Sequence, residues 1–328
     1  MKKYEHGGNI YSGNIKYDFS ANINPLGMPE NVKKILMKSV DLYEYYPEPY
    51  SEKLVSAIAE HEKIPAENIV CGNGASDLLY KIISVIKPKK TFLEFPCFIE
   101  YEKVISENNF KIMEKFNHDT DLIILGNPNN PTGKLQSKKI LEKICKICIE
   151  KDTYFICDEC FIDFVRDSEN RSIMNFINEK VIILKAFTKI YAMAGLRLGY
   201  AVFGNSELAK KVKYSGQCWN VSVPAQIAGI EALKETDYIK RTLDLIDDEK
   251  KYLYENLKKL GIKAYESDAN FILLYTEIPI ERLLAEKGIK IRSCENFRKL
   301  DKNYFRIAVR THKENTALIK ALEEILNG

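Results

Sequence analysis

Apolar runs alternate along most of the chain with segments in which apolar residues recur every three to four positions. The runs at 68–72, 91–95, 122–125, 154–157 and 181–184 are continuous, as is typical of strands buried on both faces. Helical spacing marks the segments 75–86, 98–106 and 137–151 between them. The pattern predicts an α/β fold whose central sheet is mostly parallel and has helices on both faces.

The pattern changes after residue 235. A long amphipathic helix is predicted at 237–260, followed by strands at 270–275, 289–293 and 304–309 and a closing helix at 314–326. This order predicts a smaller α+β lobe. We therefore divide the chain into an N-terminal arm (1–29) that packs with the small lobe, a large domain (30–235) and a small C-terminal domain (236–328).

Composition and charge exclude several classes of protein. Hydrophobic residues make up 45% and charged residues 29% of the 328 positions, which is typical of a globular protein and not of a disordered one. A net charge of +3 is too small to indicate nucleic-acid binding, although it does not oppose an anionic substrate. No apolar run has the length of a membrane span, and the first residues lack the apolar core of a signal peptide. We expect a cytoplasmic protein that binds neither nucleic acid nor membrane.

The eight cysteines include two close pairs, Cys145 with Cys148 and Cys157 with Cys160, whose spacing mimics a zinc ribbon. The first pair lies on the predicted helix 137–151. The second pair ends a strand, where alternate residues face opposite ways and cannot hold one ion. We therefore expect reduced core thiols and no metal. The residues expected on the buried side of the helix are Ile140, Ile144, Ile147 and Cys148.

The segment after the run 181–184 places Lys189 eight residues before Arg197. A lysine amine can bind an aldehyde covalently, and a guanidinium can clamp a phosphate with paired donors. Loops at the carboxyl ends of parallel strands are also where open α/β sheets bind ligands. Taken alone, the same spacing suits an ordinary loop that leads into a strand.

Phosphate binding is indicated a second time after the run 68–72, where Asn73, Gly74, Ala75 and Ser76 open the predicted helix 75–86. Glycine lets the backbone approach a ligand closely, and a helix N-terminus offers free N–H groups and a favourable dipole. The spacing Gly-x-Gly-x-x-Gly does not occur in this segment, so we reject a dinucleotide site.

The loop after the run 122–125 reads Asn-Pro-Asn-Asn-Pro-Thr-Gly and ends at Gly133. Together with the lysine segment, this loop resembles the fold-type-I pyridoxal-phosphate enzymes of the class I/II aminotransferase superfamily, and the resemblance covers essentially the whole chain. It implies an enzyme with pyridoxal 5′-phosphate as cofactor and Lys189 as the catalytic residue that binds it covalently. The residues implied to bind the cofactor are Gly74, Ala75, Ser76, Phe98, Asn130, Asp158, Thr188, Arg197 and Tyr46.

Four of these residues have distinct implied roles. Phe98 would stack on the pyridine ring, Asn130 would donate to its phenolate oxygen, and Asp158 would keep its nitrogen protonated. Phe98 also suits a plain core position, and Asp158 a helix cap. Tyr46 lies in a Tyr-Tyr-Pro segment like the one whose tyrosine reaches the phosphate across the family's dimer interface. It implies a homodimer with shared active sites, although such a tyrosine also suits an exposed turn.

Within the family, the chain resembles the branch that contains histidinol-phosphate aminotransferase and L-threonine-O-3-phosphate decarboxylase. The segments 6–9, 18–27, 291–301 and 304–310 resemble the decarboxylase. Phe161 does so as well, because aminotransferases of this branch usually carry a tyrosine three residues after the aspartate. Arg306 would bind the substrate carboxylate, and His6 is expected from the partner subunit. The residues implied to bind the substrate are His6, Gly7, Asn22, Asn130, Arg292 and Arg306.

The resemblance therefore implies a lyase that converts L-threonine O-3-phosphate to (R)-1-aminopropan-2-yl phosphate for cobalamin biosynthesis. The alternative is histidinol-phosphate aminotransferase of histidine biosynthesis, and a remoter one is a non-catalytic ligand-sensing protein on the same fold. The sequence does not decide between phosphothreonine and phosphoserine as the substrate, because one methyl group contributes only about 1–3 kcal/mol to the discrimination between two substrates. Ala186 stands where the family often has a phosphate-binding serine, and we expect Thr188 to supply a hydroxyl instead.

Overall fold

A computed structural model describes residues 6–11 and 14–327 of the chain. The strands are β1 (Tyr17–Asp18), β2 (Ile69–Gly72), β3 (Lys90–Leu93), β4 (Lys111–Met113), β5 (Leu122–Gly126), β6 (Tyr154–Asp158), β7 (Val181–Ala186), β8 (Gly199–Phe203), β9 (Lys263–Ala264), β10 (Phe271–Tyr275), β11 (Ile289–Lys290), β12 (Arg292–Ser293) and β13 (Tyr304–Ala308). The α-helices are α1 (Glu30–Lys38), α2 (Glu52–Glu62), α3 (Ala75–Ile86), α4 (Ile99–Glu107), α5 (Lys138–Glu150), α6 (Ser168–Arg171), α7 (Phe187–Ile190), α8 (Ser206–Tyr214), α9 (Val223–Ala232), α10 (Thr236–Lys259), α11 (Ile280–Glu286) and α12 (His312–Asn327).

The large sheet has the strand order β2-β8-β7-β6-β5-β3-β4. Its strands run parallel except β8, which is antiparallel to both β2 and β7. β5, β7 and β8 are buried along their whole length, with a hydrophobic cluster on each face of the sheet. The predicted mostly parallel sheet, covered on both faces, is confirmed. β8 departs from it because the segment 187–198 returns the chain at the same end of the sheet.

A second sheet, of order β12-β13-β10-β9, is antiparallel throughout and belongs to the C-terminal part of the chain. The long helix α10 and the closing helix α12 pack against each other beside it. The N-terminal arm joins this part, because β1 pairs in parallel with β11. The small lobe and the arm thereby close the side of the molecule that faces the carboxyl ends of the parallel strands.

The predicted elements agree with the structure most closely in the large domain, where helix 75–86 matches α3 residue for residue. The predicted strand 289–293 is wrong as a single strand. It is divided at Ile291 into β11, which pairs with β1, and β12, which pairs with β13. The elements that the pattern did not predict include β1, β4, β8, β9, α1, α2, α6, α7, α8 and α9.

The predicted buried side of α5 needs a correction. Ile140 is 47% exposed, and the buried residues of this helix are Leu141, Cys145 and Cys148. All eight cysteines are free thiols, and burial raises the pKa of both Cys145 and Cys148 to about 12. In the described ranges, no three His, Cys, Asp or Glu side chains are grouped as metal ligands.

None of the helices in the described part of the chain combines the length and the apolar character that crossing a lipid bilayer requires.

Candidate active site

A cavity of about 460 Å³ lies at the carboxyl ends of β5, β6 and β7, under the small lobe and the arm. It brings together residues from both ends of the chain. The sequence-predicted site residues that line it are His6, Gly7, Asn22, Gly74, Ala75, Ser76, Phe98, Asn130, Asp158, Thr188, Lys189, Arg197, Arg292 and Arg306. Tyr46 is absent from the lining residues.

One end of the cavity is shaped by Gly74, Ala75 and Arg197. Gly74 has φ 86°, and a Cβ at this position would lie 2.7 Å from Arg197 Nη2. Helix α3 begins at Ala75, so the N–H groups of its first turn have no acceptor within the helix. A close backbone, free N–H groups and a guanidinium together fit a phosphate group.

Ala186 and Thr188 flank the turn from β7 into the lysine segment, and both are buried and line the cavity. Ala186 has no side-chain donor. The Thr188 hydroxyl makes no hydrogen bond to another residue of the described chain, so it is available to a ligand. That Thr188 supplies the hydroxyl to a cofactor phosphate stays a prediction.

Asp158 ends β6 and is held by two hydrogen bonds. Its Oδ2 accepts from Tyr101 Oη at 2.5 Å, and its Oδ1 accepts from the backbone N–H of Cys160 at 3.0 Å. Burial, with the charge of Asp158, raises the pKa of Tyr101 well above its ordinary value, so the phenol keeps its proton and donates. Asp158 is therefore oriented by its neighbours at the edge of the cavity that it lines.

Phe98 precedes α4 and packs edge to face against Tyr101, with ring centroids 5.6 Å apart. The centroid of the His6 ring lies 5.9 Å from that of Phe98. Phe98 therefore lines the cavity as a fixed ring, which suits stacking on a flat ligand.

Lys189 lies in the short helix α7, directly after β7. Burial, together with the positive charges of Arg306 and Arg197, lowers the pKa of Lys189 to about 8. An amine with this pKa is partly neutral near physiological pH, which is the form that attacks an aldehyde.

Arg306 projects from β13 and is buried. Its Nη1 donates to Asn130 Oδ1 at 2.6 Å and its Nη2 to the carbonyl oxygen of Ser20 at 2.8 Å, while its Nε has no partner in the described chain. Burial and the neighbouring charge of Arg292 lower the pKa of Arg306 to about 10. A buried cation whose described acceptors are neutral fits the binding of an anionic ligand.

Arg292 lies directly opposite Arg306 on the neighbouring strand β12, and it is also buried. Its guanidinium is 5.3 Å from the centre of the Phe297 ring, and its Nη2 donates to Asn296 Oδ1 at 2.7 Å. Cross-strand partners share one face of a sheet, so both arginines are directed to the same cavity.

The arm brings His6, Gly7 and Asn22 to the cavity of its own chain, so the expectation that His6 comes from the partner subunit is not met here. His6 Nε2 lies 2.7 Å from Glu100 Oε1. A Cβ on Gly7 would lie 2.0 Å from the carbonyl oxygen of Ser20, so only glycine fits this close approach. Asn22 is buried, and its Oδ1 has no partner among the described residues.

Sequence reasoning missed Tyr101 and Glu100, which contact Asp158 and His6. Both lie in the first turn of α4, within three residues of Phe98, so a helix that starts at a cavity was the available signal. It also missed Phe297, which lines the cavity beside Arg292.

Tyr46 stays outside the cavity of its own chain. It is 81% exposed and its ring lies 4.8 Å from that of Trp219.

The chain is similar over nearly its whole length to known enzymes. The model of the family "Aminotransferase class I and II" matches residues 14–322. The threonine-phosphate decarboxylase of Salmonella typhimurium is 33% identical, over 98% of this chain and 97% of its own. Histidinol-phosphate aminotransferase 2 of Archaeoglobus fulgidus is 32% identical, over 94% and 92%. Among solved structures, the histidinol-phosphate aminotransferase of Clostridium acetobutylicum has a TM-score of 0.87 and 32% identity, over 95% of this chain and 99% of that one.

Pyridoxal phosphate is the cofactor of this family, and the lining residues fit it. The backbone cradle at Gly74 with Arg197 suits the phosphate, the carboxylate of Asp158 suits a protonated ring nitrogen, and the amine of Lys189 suits the aldehyde. The fold, the cavity and the sequence similarity agree: the chain is an enzyme of the class I and II aminotransferase family.

Proposed function

We propose that this enzyme decarboxylates L-threonine O-3-phosphate and releases (R)-1-aminopropan-2-yl phosphate for cobalamin biosynthesis. The observation that carries the proposal is the pair Arg292 and Arg306, two buried guanidinium groups on adjacent strands that line one cavity. Phosphothreonine carries two anionic groups, a carboxylate and a phosphate, so each arginine could bind one of them. The similarity to the Salmonella decarboxylase supports the same reading.

The two anionic ends have separate sites in this proposal. Arg306, with Asn130 at 2.6 Å, would bind the carboxylate. Arg292 would bind the phosphate together with residues of the arm. A carboxylate and a phosphate anchored at two points fix how the substrate is turned in the cavity. The arm residues that would contact the phosphate are His6, Gly7 and Asn22.

That orientation decides which bond breaks. When bound, the cofactor supplies an electron sink for the pair released from a bond at Cα. Asp158, held by Tyr101, would keep a proton on the ring nitrogen. Thr188, Arg197 and the first turn of α3 would hold the phosphate of the cofactor. Lys189, whose pKa is about 8, exists in both protonation states near that pH and would return a proton to Cα.

Histidinol-phosphate aminotransferase is the second candidate, and the likeness to the Clostridium acetobutylicum structure favours it. Histidinol phosphate carries an amine and a phosphate but no carboxylate to lose. Phe161 argues against this candidate, because it lines the cavity, packs 5.0 Å from Phe271 and has no hydroxyl to donate to the cofactor.

The working enzyme is proposed to be a homodimer with shared active sites. Tyr46 and Trp219 form part of an exposed apolar surface that a second copy would cover. In such a dimer, Tyr46 of one subunit would reach the phosphate end of the other cavity.

Two reactions run side by side test the function. In the first, purified protein with pyridoxal phosphate is incubated with phosphothreonine, and the release of carbon dioxide is measured. In the second, the same protein is incubated with histidinol phosphate and 2-oxoglutarate, and the formation of glutamate is measured. Carbon dioxide release that Lys189→Ala abolishes would support the decarboxylase. Glutamate formation without carbon dioxide release would establish the aminotransferase instead.

A further inference from the structure

Glu100 is an acidic side chain in a cavity whose other charged lining residues are mostly cationic. Four lysine or arginine residues line the cavity, and besides Glu100 the acidic lining residue is Asp158. An anion at a site for an anionic substrate weakens binding unless its charge is used elsewhere. The function proposed above gives Glu100 no role, although only 8% of its side chain is exposed.

Three groups surround the Glu100 carboxylate. His6 Nε2 lies 2.7 Å from Oε1, Tyr80 Oη donates to Oε2 at 3.0 Å, and Lys103 Nζ lies 3.7 Å from Oε1. Burial alone would raise the pKa of Glu100, but the hydrogen bonds from His6 and Tyr80 and the charges of His6 and Lys103 lower it. The carboxylate therefore stays charged. Its hydrogen bonds and ion pair with these neighbours offset the repulsion between its charge and an anionic ligand.

The contact with His6 joins two parts of the molecule. Glu100 belongs to α4 of the large domain, whereas His6 belongs to the arm. Two residues further along the arm, Gly8 N donates to Ser20 Oγ at 2.8 Å, and Ser20 O accepts from Arg306. The arm segment 6–8 therefore spans the cavity from α4 to the small lobe, and Glu100 anchors its large-domain end.

We propose that Glu100 is a positioning residue that accepts a hydrogen bond from Nε2–H of the His6 imidazolium and leaves its Nδ1–H to donate to the substrate phosphate. Each ring nitrogen of histidine makes one hydrogen bond, so the bond to Glu100 decides which nitrogen is left for a ligand. The inference rests on the proposed phosphorylated substrate. It adds to that proposal a residue that acts on the substrate only through His6.

The kinetic test uses Glu100→Ala, His6→Ala and the double variant. Glu107→Ala is the matched control, because Glu107 lies on the same helix and also accepts from Tyr80, at 3.4 Å. Glu100→Ala should raise KM for phosphothreonine about tenfold, as expected for a lost hydrogen bond to a charged group, with kcat within about twofold. In the double variant, Glu100→Ala should not raise KM beyond the value of His6→Ala alone. Glu100→Gln can still accept a hydrogen bond from Nε2, so its KM should lie between those of wild type and Glu100→Ala. Independent, additive effects of the two alanine substitutions would overturn the proposal.

A second measurement needs no substrate. Hydrogen–deuterium exchange of the holoenzyme should be faster at the amides of Gly7 and Gly8 in Glu100→Ala than in wild type or Glu107→Ala. Unchanged exchange would overturn the positioning role whatever the substrate is. If wild type releases no carbon dioxide from phosphothreonine, the proposed function fails, and the exchange result still decides whether Glu100 anchors the arm.

Discussion

Tyr101 donates a 2.5 Å hydrogen bond to Asp158, and the same turn of α4 packs the Tyr101 ring against Phe98 at 5.6 Å. One helix start therefore fixes both the ring expected to stack on the cofactor and the carboxylate expected to face its nitrogen. The relationship couples two parts of the site that are far apart in sequence.

Tyr101→Phe removes the donor and keeps the ring. A hydrogen bond to an ionised group is worth about 1.5–3 kcal/mol, so we expect pyridoxal phosphate to bind about tenfold more weakly or worse. Equilibrium dialysis measures the affinity. Tyr252→Phe is the control, because it removes a hydroxyl whose partner is Thr316, away from the cavity. Equal affinities in all three proteins would mean that the hydroxyl does not support the site.

The central sheet could be predicted from sequence because burial on both faces leaves a continuous apolar run, as in β5 and β7. The loops after those strands then indicate the site, because ligands bind at the carboxyl ends of parallel strands. The sequence could not show that β11 and β12 are two strands. Together they form one apolar run, and they are distinct only because β11 pairs with β1 and β12 pairs with β13.

The roles of Tyr101 and Glu100 could not be predicted from the sequence either, because they depend on contacts with residues far along the chain. Tyr101 acts on a carboxylate 57 residues away, and Glu100 on a histidine 94 residues away. A tyrosine and a glutamate in a first helical turn are ordinary in themselves. Local periodicity contains no information about such long-range partners, so the three-dimensional contact alone gives these residues their roles.

Lys189→Ala should abolish covalent attachment of the cofactor. The motivation is an amine that lines the cavity directly after β7 and whose pKa is lowered to about 8. Borohydride treatment followed by mass spectrometry should show one cofactor fixed to wild type and none to the variant. Lys134→Ala, at an exposed lysine beside the Asn130 loop, should behave like wild type. Trapping in Lys189→Ala at the wild-type level would show that another amine binds the cofactor.

The lowered pKa of Lys189 also predicts a pH dependence of stability in the cofactor-free protein. Between about pH 8 and its ordinary pKa of 10.5, the unfolded chain holds a proton that the folded chain has lost. The free energy of unfolding therefore rises with pH through this window, and the destabilisation is complete below it. At 1.36 kcal/mol per unit, the cost below pH 8 is up to about 3 kcal/mol.

Lys189→Met removes that cost and keeps the side-chain length. Urea denaturation should find the cofactor-free variant more stable than wild type at pH 7, by about 1–3 kcal/mol, with the difference shrinking towards pH 10. Lys134→Met should show no such trend. A difference that is constant with pH would mean that the amine titrates normally in the folded protein.

Ala186→Ser tests the end of the cavity that we propose to hold the phosphate of the cofactor. Ala186 is buried there and offers no donor, whereas a serine would add a hydroxyl. If that hydroxyl reaches the phosphate, cofactor affinity should rise about tenfold with little change in kcat. Ala21→Ser, which adds a hydroxyl on the arm side of the same cavity, should leave the affinity unchanged. Unchanged or weaker binding in Ala186→Ser would mean that water or Thr188 already fills the position.

The last prediction concerns Tyr46, which is 81% exposed in the single chain. We expect sedimentation to find a dimer at micromolar concentration, because an exposed aromatic surface of this kind is typical of an interface. Tyr46→Phe should keep the dimer and weaken cofactor binding about tenfold, since it removes a hydroxyl that would donate to the phosphate of the neighbouring cavity. Tyr45→Phe is the matched control: its ring is also exposed, and it should bind cofactor like wild type. A fully active monomer would contradict the shared site, whereas a dimer with unchanged affinity in Tyr46→Phe would contradict only the role of this hydroxyl.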